Sequence, residues 1–379
     1  MAILYPTRIK KTNLGDILIN VLLIRELSKH SKVYLDGCSE ELLELIKYNN
    51  PHHENIRYIR GLSFFDGLPV LRWLKMSHKL AELDLVFDPP GHYLQESELK
   101  SKAKLLKYWM RARILHLFDI GVARIGVTMG PFSPKLWQTT SKLSILYRTI
   151  GIRDKSNLKL LESKGFKNLS FIDDISFLYQ NSDFKTTPLK ELDGKEYVIF
   201  SFRGAIAGKN NDKDYLKNLI PSLRSLISDF LSGKNYNIIL SYQVEEDLQV
   251  IRLIKENIED LGVECQLIEK QLTLPEIATL YSSARYIFTN RLHVALLGLL
   301  NGTVAVGITD VEKHHKLCDL FTDIGQQQLL LDINNFKADH LDHENFENGV
   351  LENFEKVRSA KRQLLENQIK DIVLNLDWK

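Results

Sequence analysis

The sequence predicts an α/β protein made of two doubly wound, Rossmann-like domains, and three observations support this fold class. Short β-rich runs alternate with longer segments of helical period, which is typical of a parallel sheet with helices on both faces. The chain has 379 residues, more than one hydrophobic core usually serves. A polar, turn-rich stretch over residues 180–196 interrupts the alternation and predicts a domain boundary.

The first domain is predicted to cover residues 1–182. Its apolar runs are short enough for buried strands, and the segments between them have the spacing of amphipathic helices. We expect strands at residues 3–5, 32–35, 56–59, 83–87, 124–127, 149–152 and 169–172, and helices at 17–28, 40–47 and 156–163.

The second domain is predicted to cover residues 183–379 by the same alternation. Its closing segment, 345–376, is charged and helical in period, and we expect this helix to pack back on the first domain. The other predicted strands are 197–202, 236–240, 264–267, 286–289 and 303–306, and the other helices are 214–231, 245–261, 274–282, 292–300 and 312–321.

Composition and charge exclude several classes of protein. Hydrophobic residues make up 44% and charged residues 26%, which is ordinary globular usage and excludes a disordered or fibrous chain. Fifty Lys and Arg against 48 Asp and Glu are too balanced for a protein that wraps a nucleic-acid backbone. Three scattered cysteines indicate neither a disulfide framework nor a metal site, and favour a reducing compartment.

The sequence also leads us to expect a cytoplasmic protein, either soluble or peripheral to a membrane. The first residues lack the apolar core of a signal peptide, and the apolar runs 17–24 and 294–308 are shorter than the roughly 20 residues that span a bilayer. Residues 100–116 combine Lys104, Lys107, Arg111 and Arg113 with apolar and aromatic residues. This make-up fits an interfacial helix, or alternatively an ordinary domain helix with a solvated basic face.

The segment from Phe288 to His293 is the strongest candidate for a functional site. Ligands of open α/β sheets lie beyond the carboxyl ends of strands, against helix amino termini, and here a strand ends as a helix begins. Thr289 or Asn290 is predicted to cap that helix. Arg291 can hold a phosphate or carboxylate by paired hydrogen bonds, and His293 can exchange a proton. The alternative is an arginine paired with a surface carboxylate and a histidine that is merely packed.

Three other strand ends carry weaker signals. Gly15 permits close backbone approach, and Asp16 either caps the first helix or accepts a proton from a sugar hydroxyl. Arg203 follows a strand, where it either joins Arg291 on one anion or is a solvent-exposed loop residue. Arg153 is interpreted as structural, with Asp154 as its partner across a domain interface and Asp154 or Ser156 as a helix cap.

No known nucleotide or metal motif is found in the sequence. HExxH, the P-loop and GxGxxG do not occur, and the missing Walker lysine argues against a P-loop kinase. The adjacent pairs His52-His53 and His314-His315 point to different sides of any regular element, so a shared metal is not expected.

Several motifs, in this order, resemble the polysaccharide pyruvyl transferase family over nearly the whole chain. Asn13-Leu14-Gly15-Asp16 resembles its N-x-G-D, Ile152-Arg153-Asp154-Lys155-Ser156 its R-D-x-x-S, and Ser201-Phe202-Arg203 its S-x-R. The most specific part is 277–308, with Asn290-Arg291-Leu292-His293, and Lys313 falls where the family usually has a lysine. Two turns in the first domain, at 88–92 and 129–131, depart from the glycine-rich family pattern.

The resemblance implies a GT-B-like arrangement, with the acceptor on the first domain and the donor on the second. It implies transfer of pyruvate from phosphoenolpyruvate to a sugar, forming a cyclic ketal, with no cofactor and no metal. Arg203, Arg291, Leu292 and Lys313 would then bind the donor, and His293 and Asp16 would be catalytic. Asn13, Gly15 and Arg153 would lie on the acceptor side.

Two other functions remain open at this point. A glycosyltransferase using a nucleotide sugar would need an equally cationic site on the same fold. A non-catalytic assembly protein of polysaccharide synthesis is a third hypothesis, against which the Arg-x-His at a strand end argues. The sequence does not identify the acceptor. One alternative is a polyprenyl-linked saccharide at the inner face of the membrane.

Overall fold

A computed structural model shows two compact units, each with one parallel sheet. The structure describes residues 1–7, 13–59, 83–93, 98–130, 132–189, 192, 194, 196–206, 212–342 and 346–375. The first unit comprises Met1–Lys10, Asp16–Tyr179 and Lys361–Lys379, and the second comprises Lys11–Gly15 and Gln180–Ala360.

The first sheet has the strand order β3-β2-β1-β4-β6-β7-β8, with β5 paired to β6 and every pairing parallel. The direction of winding reverses between β1 and β4, which creates a switch point at their carboxyl ends. The strands are β1 (Ala2–Pro6), β2 (Lys32–Asp36), β3 (Ile56–Ile59), β4 (Leu85–Asp88), β5 (Gly91–Tyr93), β6 (Gly121–Met129), β7 (Thr149–Ile152) and β8 (Leu169–Phe171).

Helix α1 of the first unit is buried nearly all round, whereas α2 buries Leu42 and Ile46. The Ser39 hydroxyl accepts a hydrogen bond from the Leu42 amide and so caps α2. The helices are α1 (Leu14–His30), α2 (Glu40–Lys47), α3 (Glu98–Leu117), α4 (Pro134–Ser144) and α5 (Lys155–Ser163).

A buried charge cluster holds α3 to the sheet. Asp88, at the end of β4, is fully buried and pairs with Arg111 of α3 at 2.5 Å and with Arg124 of β6 at 3.1 Å. The Tyr147 hydroxyl donates a third hydrogen bond to the same carboxylate at 2.8 Å. Burial raises the pKa of Asp88, but the two guanidiniums more than offset this, so the pKa is lowered and the carboxylate stays ionised.

This cluster corrects the predicted basic face over residues 100–116. Arg111 is 4% exposed and points inward, so it cannot belong to a solvated or membrane-facing surface. Arg113 is exposed and Lys107 is half-buried, whereas the Lys104 side chain lies outside the described part of the chain. Among the described residues, no helix is long and apolar enough to cross a membrane.

The second sheet has the order β11-β10-β9-β12-β13-β14, again with only parallel pairings. Its switch point lies between β9 and β12, at the centre of the sheet. The strands are β9 (Tyr197–Ser201), β10 (Asn237–Leu240), β11 (Cys265–Leu267), β12 (Tyr286–Thr289), β13 (Val304–Thr309) and β14 (Leu330–Asp332).

Two helices of the second unit, α6 and α8, begin at side-chain caps. The Asp212 carboxylate accepts hydrogen bonds from two amides of α6, and Thr273 and Glu276 form a capping box on α8. The helices are α6 (Lys213–Ser225, followed by a π-helical turn, Leu226–Leu231), α7 (Leu248–Ile258), α8 (Leu274–Ser282), α9 (Leu292–Leu300), α10 (His315–Asp323) and α11 (Phe346–Leu374).

The C-terminal helix α11 contributes to both units. In the second unit Glu347 pairs with Arg285 at 2.8 Å. In the first unit Lys361 pairs with Asp173, and Gln368 donates to the Phe171 carbonyl at 3.1 Å. The assignment of the first domain to the acceptor and the second to the donor stays a prediction.

The sequence located most elements and missed a few short ones. The strands β5 and β14 have three residues each, too few to show a period, and α4 was not predicted. Asp154 was predicted to cap a helix and to pair with Arg153, and both predictions need correction. It occupies the N-cap position of α5, but its carboxylate makes no capping hydrogen bond and instead accepts one from the Thr128 hydroxyl.

Replacing Asp88 by asparagine should destabilise the protein strongly. The substitution keeps the volume but leaves two guanidiniums buried without a countercharge, which typically costs about 3–5 kcal/mol. Urea unfolding would measure the loss. Asp260→Asn is the control, because its carboxylate is 64% exposed where it pairs with Arg224, so this variant should change little. Equal losses in both variants would contradict the assigned role of Asp88.

Candidate active site

The candidate site lies in the second unit, where β9 and β12 end side by side. These two strands are neighbours across the switch point of the sheet, the usual place for a ligand in open α/β folds. Arg203 follows β9 by two residues and Arg291 follows β12 by two residues. The topology therefore places the two predicted donor-binding arginines next to each other.

Asn290 fastens the two strand ends together. It is 1% exposed, and its amide oxygen accepts from the Arg203 amide at 2.8 Å. Its amide nitrogen donates to the Arg203 carbonyl at 2.9 Å and to the Tyr215 hydroxyl at 2.8 Å. Three hydrogen bonds from one buried side chain fix the backbone of Arg203 relative to β12.

The start of α9 differs from the predicted cap. Arg291 occupies the N-cap position and makes no capping hydrogen bond with its side chain. The Thr289 hydroxyl donates to the Ser201 carbonyl at 2.6 Å and accepts from the Arg291 amide at 2.9 Å. Thr289 and Asn290 therefore join β9 to β12 instead of capping α9. The first turn of α9, which begins at Leu292, therefore has no side-chain cap from Arg291.

Asp247 is the partner of Arg291, and sequence reasoning missed it. The Arg291 guanidinium donates to the Asp247 carboxylate, whose side chain is 6% exposed. Burial raises the pKa of Asp247, although the charge of Arg291 opposes this rise. Asp247 lies within the helix predicted over 245–261, and nothing in the local spacing indicates a partner 44 residues away.

Arg203 adds a second positive charge. Its guanidinium donates to the Ala205 carbonyl and, at 2.6 Å, to the Ile206 carbonyl. The pKa of Arg203 is lowered by burial and by the nearby charge of Arg291. Two guanidiniums that repel each other, with the single carboxylate of Asp247 near them, leave an excess of positive charge that favours an anionic ligand.

A buried hydrogen-bond donor of Arg291, its Nε, lacks an acceptor in the described part of the chain. The buried side chains of Gln243 and Tyr281 lie beside it. Burial raises the pKa of Tyr281, and Gln243 and Arg291 act against this rise, so these groups are neighbours. Since buried donors are normally satisfied, this side of the site is suited to an oxygen-rich ligand or water.

His314 lies near the two arginines but carries no charge at neutral pH. Its Nδ1 is 2.9 Å from the Thr309 hydroxyl. Burial, followed by the charge of Arg203, lowers its pKa to about 4. Within the described part of the chain, no three His, Cys, Asp or Glu side chains are grouped so as to hold a metal ion.

The structure places the predicted Lys313 on Asp310 at the surface. The ammonium is 2.9 Å from the Asp310 carboxylate, and the Lys313 side chain is 74% exposed. Asp310 thus holds the ammonium in this structure. The role of Lys313 in donor binding stays a prediction.

The His293 imidazole lies against the backbone of Gly15. The sequence predicted that Gly15 permits such a close approach. His293 is half-buried in the first turn of α9, and the described residues 13–15 group with the second unit. A Cβ at position 15 would overlap the His293 imidazole. Glycine is therefore required here to leave room for the ring. Asn13, two residues before Gly15, is half-buried.

Asp16 and Arg153 lie in the first unit. Asp16 occupies the first turn of α1, which begins at Leu14, so it is not the cap. It lies against Gly91, where a Cβ would come within 3.4 Å of its Oδ1. Burial lowers the pKa of Arg153, and the carboxylates of Asp174, Asp154 and Asp16 more than offset this effect.

Arg153 pairs with Asp174, not with Asp154. The guanidinium is 2.7 Å from the Asp174 carboxylate and also donates to the Thr128 hydroxyl at 3.1 Å. Both partners belong to the first unit, so the predicted pairing across a domain interface is wrong. The long-range pair could not be found from sequence spacing.

Arg203 and Arg291, with His293 in the first turn of α9, form a cationic cluster whose charge suits a small anionic ligand. The chain belongs to the polysaccharide pyruvyl transferase family, whose family model matches residues 13–310. The matched range contains every residue named for the donor side except Lys313. No individual curated protein matches the chain.

Solved structures resemble the chain over its whole length at low identity. UDP-GlcNAc 2-epimerase from Neisseria meningitidis, bound to UDP-GlcNAc, shares 13% identity with a TM-score of 0.54, covering 99% of each chain. Anabaena Alr3699/HepE, in complex with UDP and glucose, shares 12% with a TM-score of 0.57, covering 98% of this chain and 100% of that chain. S. aureus MnaA with UDP shares 11% with a TM-score of 0.56, covering 99% and 97%. Such likeness shows the fold alone, and it confirms the predicted two-domain α/β class of GT-B type.

Replacing Gly15 by alanine tests the contact with His293. Alanine normally stabilises a helix relative to glycine by about 0.5–1 kcal/mol, but here the methyl group would displace a ring, which typically costs about 1–3 kcal/mol. We expect a net loss of stability on urea unfolding.

The control is Gly349→Ala in α11, where a Cβ would meet nothing within 4 Å. Neither glycine has a positive φ. The two substitutions should therefore have opposite signs, and stabilisation by both would rule out the Gly15–His293 contact.

Proposed function

We propose that the protein transfers pyruvate from phosphoenolpyruvate to a sugar of a cell-surface polysaccharide precursor, forming a cyclic ketal. The family is a transferase family, and the donor and the ketal are our proposal. The observation that carries it is the pair Arg203 and Arg291, held side by side by Asn290 above the uncapped start of α9.

The donor matches this site in charge. Phosphoenolpyruvate carries its phosphate and its carboxylate on the same carbon atom, and a guanidinium binds either group through parallel hydrogen bonds. Arg203 and Arg291 would each take one anionic group, and the amides starting at Leu292 would add donors. Lys313 would reach the phosphate by exchanging its bond to Asp310.

Asp247 would hold Arg291 in place for this task. A guanidinium has five N–H donors, and Asp247 engages one of its terminal nitrogens. The buried Nε edge remains for a ligand oxygen. The same carboxylate limits the excess of positive charge before the donor binds.

The chemistry requires one proton delivered and two hydroxyl protons removed. His293 would protonate the enol methylene, which becomes the methyl group and leaves a cationic carbon. One sugar hydroxyl attacks this carbon, phosphate departs with its bonding electron pair, and a second hydroxyl closes the ketal. Asp16 would orient or deprotonate the acceptor, and the second hydroxyl proton leaves with phosphate or solvent.

The acceptor would be bound by the first unit and the segment beside it. Asn13 and Gly15 lie at the start of α1, and Arg153 is fixed by Asp174, so these residues would shape the acceptor side. We propose a saccharide acceptor, with a polyprenyl-linked sugar at the cytoplasmic face of the membrane as the form to test first. No cofactor or metal is part of the proposal.

A nucleotide-sugar glycosyltransferase is the second candidate. The observation in its favour is that the solved structures named above contain UDP or UDP-GlcNAc. A diphosphate would suit the same two arginines.

Donor identity distinguishes the two candidates. We expect calorimetry to show tighter binding of phosphoenolpyruvate than of UDP-sugars, since two separate anionic groups meet two guanidiniums. Incubation with phosphoenolpyruvate and lipid-linked saccharides should give a pyruvylated product by mass spectrometry, with and without chelator. Tighter binding of a UDP-sugar would favour the glycosyltransferase, and loss of activity with chelator would contradict the absence of a metal.

His293 and Arg291 should differ in their kinetic effects. Removal of a well-placed proton donor lowers turnover about 100- to 10,000-fold, so His293→Ala should lose turnover while donor binding is largely kept. Arg291→Lys keeps the charge but loses the paired hydrogen bonds, so it should mainly weaken phosphoenolpyruvate binding.

Arg285→Lys is a matched control. Arg285 lies just before β12, the strand that Arg291 follows, and its guanidinium pairs with Glu347. It should leave turnover and donor binding unchanged. A folded His293→Ala variant with near-normal turnover would remove this histidine from the mechanism.

A further inference from the structure

Helix α3 has an apolar face on each side. Its inner face, formed by Leu105, Tyr108, Ala112 and Leu115, is buried in the core of the first unit. An ordinary surface helix would be polar on the opposite side. This helix is apolar there as well.

The outer face exposes large apolar side chains that recur at intervals of three, four and seven residues. Since residues at these intervals share one helix face, the side chains lie along one face of α3, with the exposed Arg113 between Met110 and Leu117. Phe118 follows the end of the helix. Their exposed fractions are 57% for Leu106, 41% for Trp109, 45% for Met110, 82% for Leu117 and 50% for Phe118.

The sequence of this helix is rich in basic residues. Between Leu99 and Phe118 the sequence contains six Lys and Arg and no Asp or Glu. Arg111 points inward to Asp88, but Arg113 is exposed and its guanidinium lies 5.3 Å from the Trp109 ring centre. An apolar stripe with tryptophan, bordered by cations, is the composition of helices that lie in a membrane interface.

We propose that the outer face of α3 docks on an anionic lipid bilayer. Leu106, Met110 and Leu117 would enter the acyl boundary, Trp109 would lie at the headgroup level, and Arg113 would contact lipid phosphates. The helix would lie on the membrane, consistent with the absence of a membrane-crossing helix among the described residues. The proposal does not rest on the proposed reaction.

A second copy of the chain is a poorer fit for this face. A twofold interface brings the same patch of both subunits together, so the exposed Arg113 side chains of the two copies would repel each other. An anionic bilayer neutralises these charges and covers the apolar stripe at the same time.

Vesicle co-sedimentation of the full-length protein tests the proposal. We expect binding to vesicles of phosphatidylcholine with phosphatidylglycerol and much weaker binding to phosphatidylcholine alone. Leu106→Gln with Leu117→Gln should weaken binding at least about tenfold, and Arg113→Glu should weaken it by about tenfold. Quenching of tryptophan fluorescence by brominated lipid should occur in the wild type and be much reduced in Trp109→Phe.

Matched controls come from α5 of the same unit. Leu160, which is 44% exposed, and the exposed Lys159 are replaced by Gln and Glu, and neither change should affect binding. A wild type that binds neither vesicle overturns the proposal, as do α3 variants that bind like the wild type. Sedimentation velocity adds a further contrary outcome: a dimer that the Leu106 and Leu117 changes dissociate, without vesicle binding, would assign this face to self-association.

Discussion

The candidate site depends on one buried amide. Asn290 pairs with both backbone groups of Arg203 and with the Tyr215 hydroxyl. Because a buried amide with satisfied hydrogen bonds is costly to disrupt, the two strand ends cannot separate without leaving polar groups unpaired. The positions of Arg203, Arg291 and the start of α9 all depend on this contact. The site is thus built on backbone geometry before any side chain meets a ligand.

Carboxylates fix the orientation of several arginines in this protein, each in a different setting. Asp88 is fully buried and neutralises part of the charge of Arg111 and Arg124. Asp174 holds Arg153 in the first unit, and Asp247 holds Arg291 in the second. Asp247 leaves the Nε of Arg291 without an acceptor in the described residues. This arginine follows a strand end at the switch point of its sheet, where open α/β folds bind ligands.

Local sequence patterns predicted the sheets and helices well, because each strand or helix shows its own period within a few residues. The same patterns placed Arg203 and Arg291 at strand ends, and parallel topology then brings such ends to one edge. Partners distant in sequence were not predictable. Asp247 is 44 residues from Arg291, and Asp88 is 23 residues from Arg111. The cap of α9 was wrong because Thr289 and Asn290 bond across the sheet, which local propensity cannot indicate.

Neither unit is a single stretch of chain, and helix α11 makes this arrangement a constraint on folding. Leu365, Ile369 and Val373 are fully buried, and they belong to the part of the helix that completes the first unit. During synthesis, domains usually fold as they leave the ribosome. Here the first unit must wait for Leu365, Ile369 and Val373, so most of the second unit is made before the first has all its core. A fragment that stops at Tyr179 would lack these side chains, and the two units must be studied within one polypeptide.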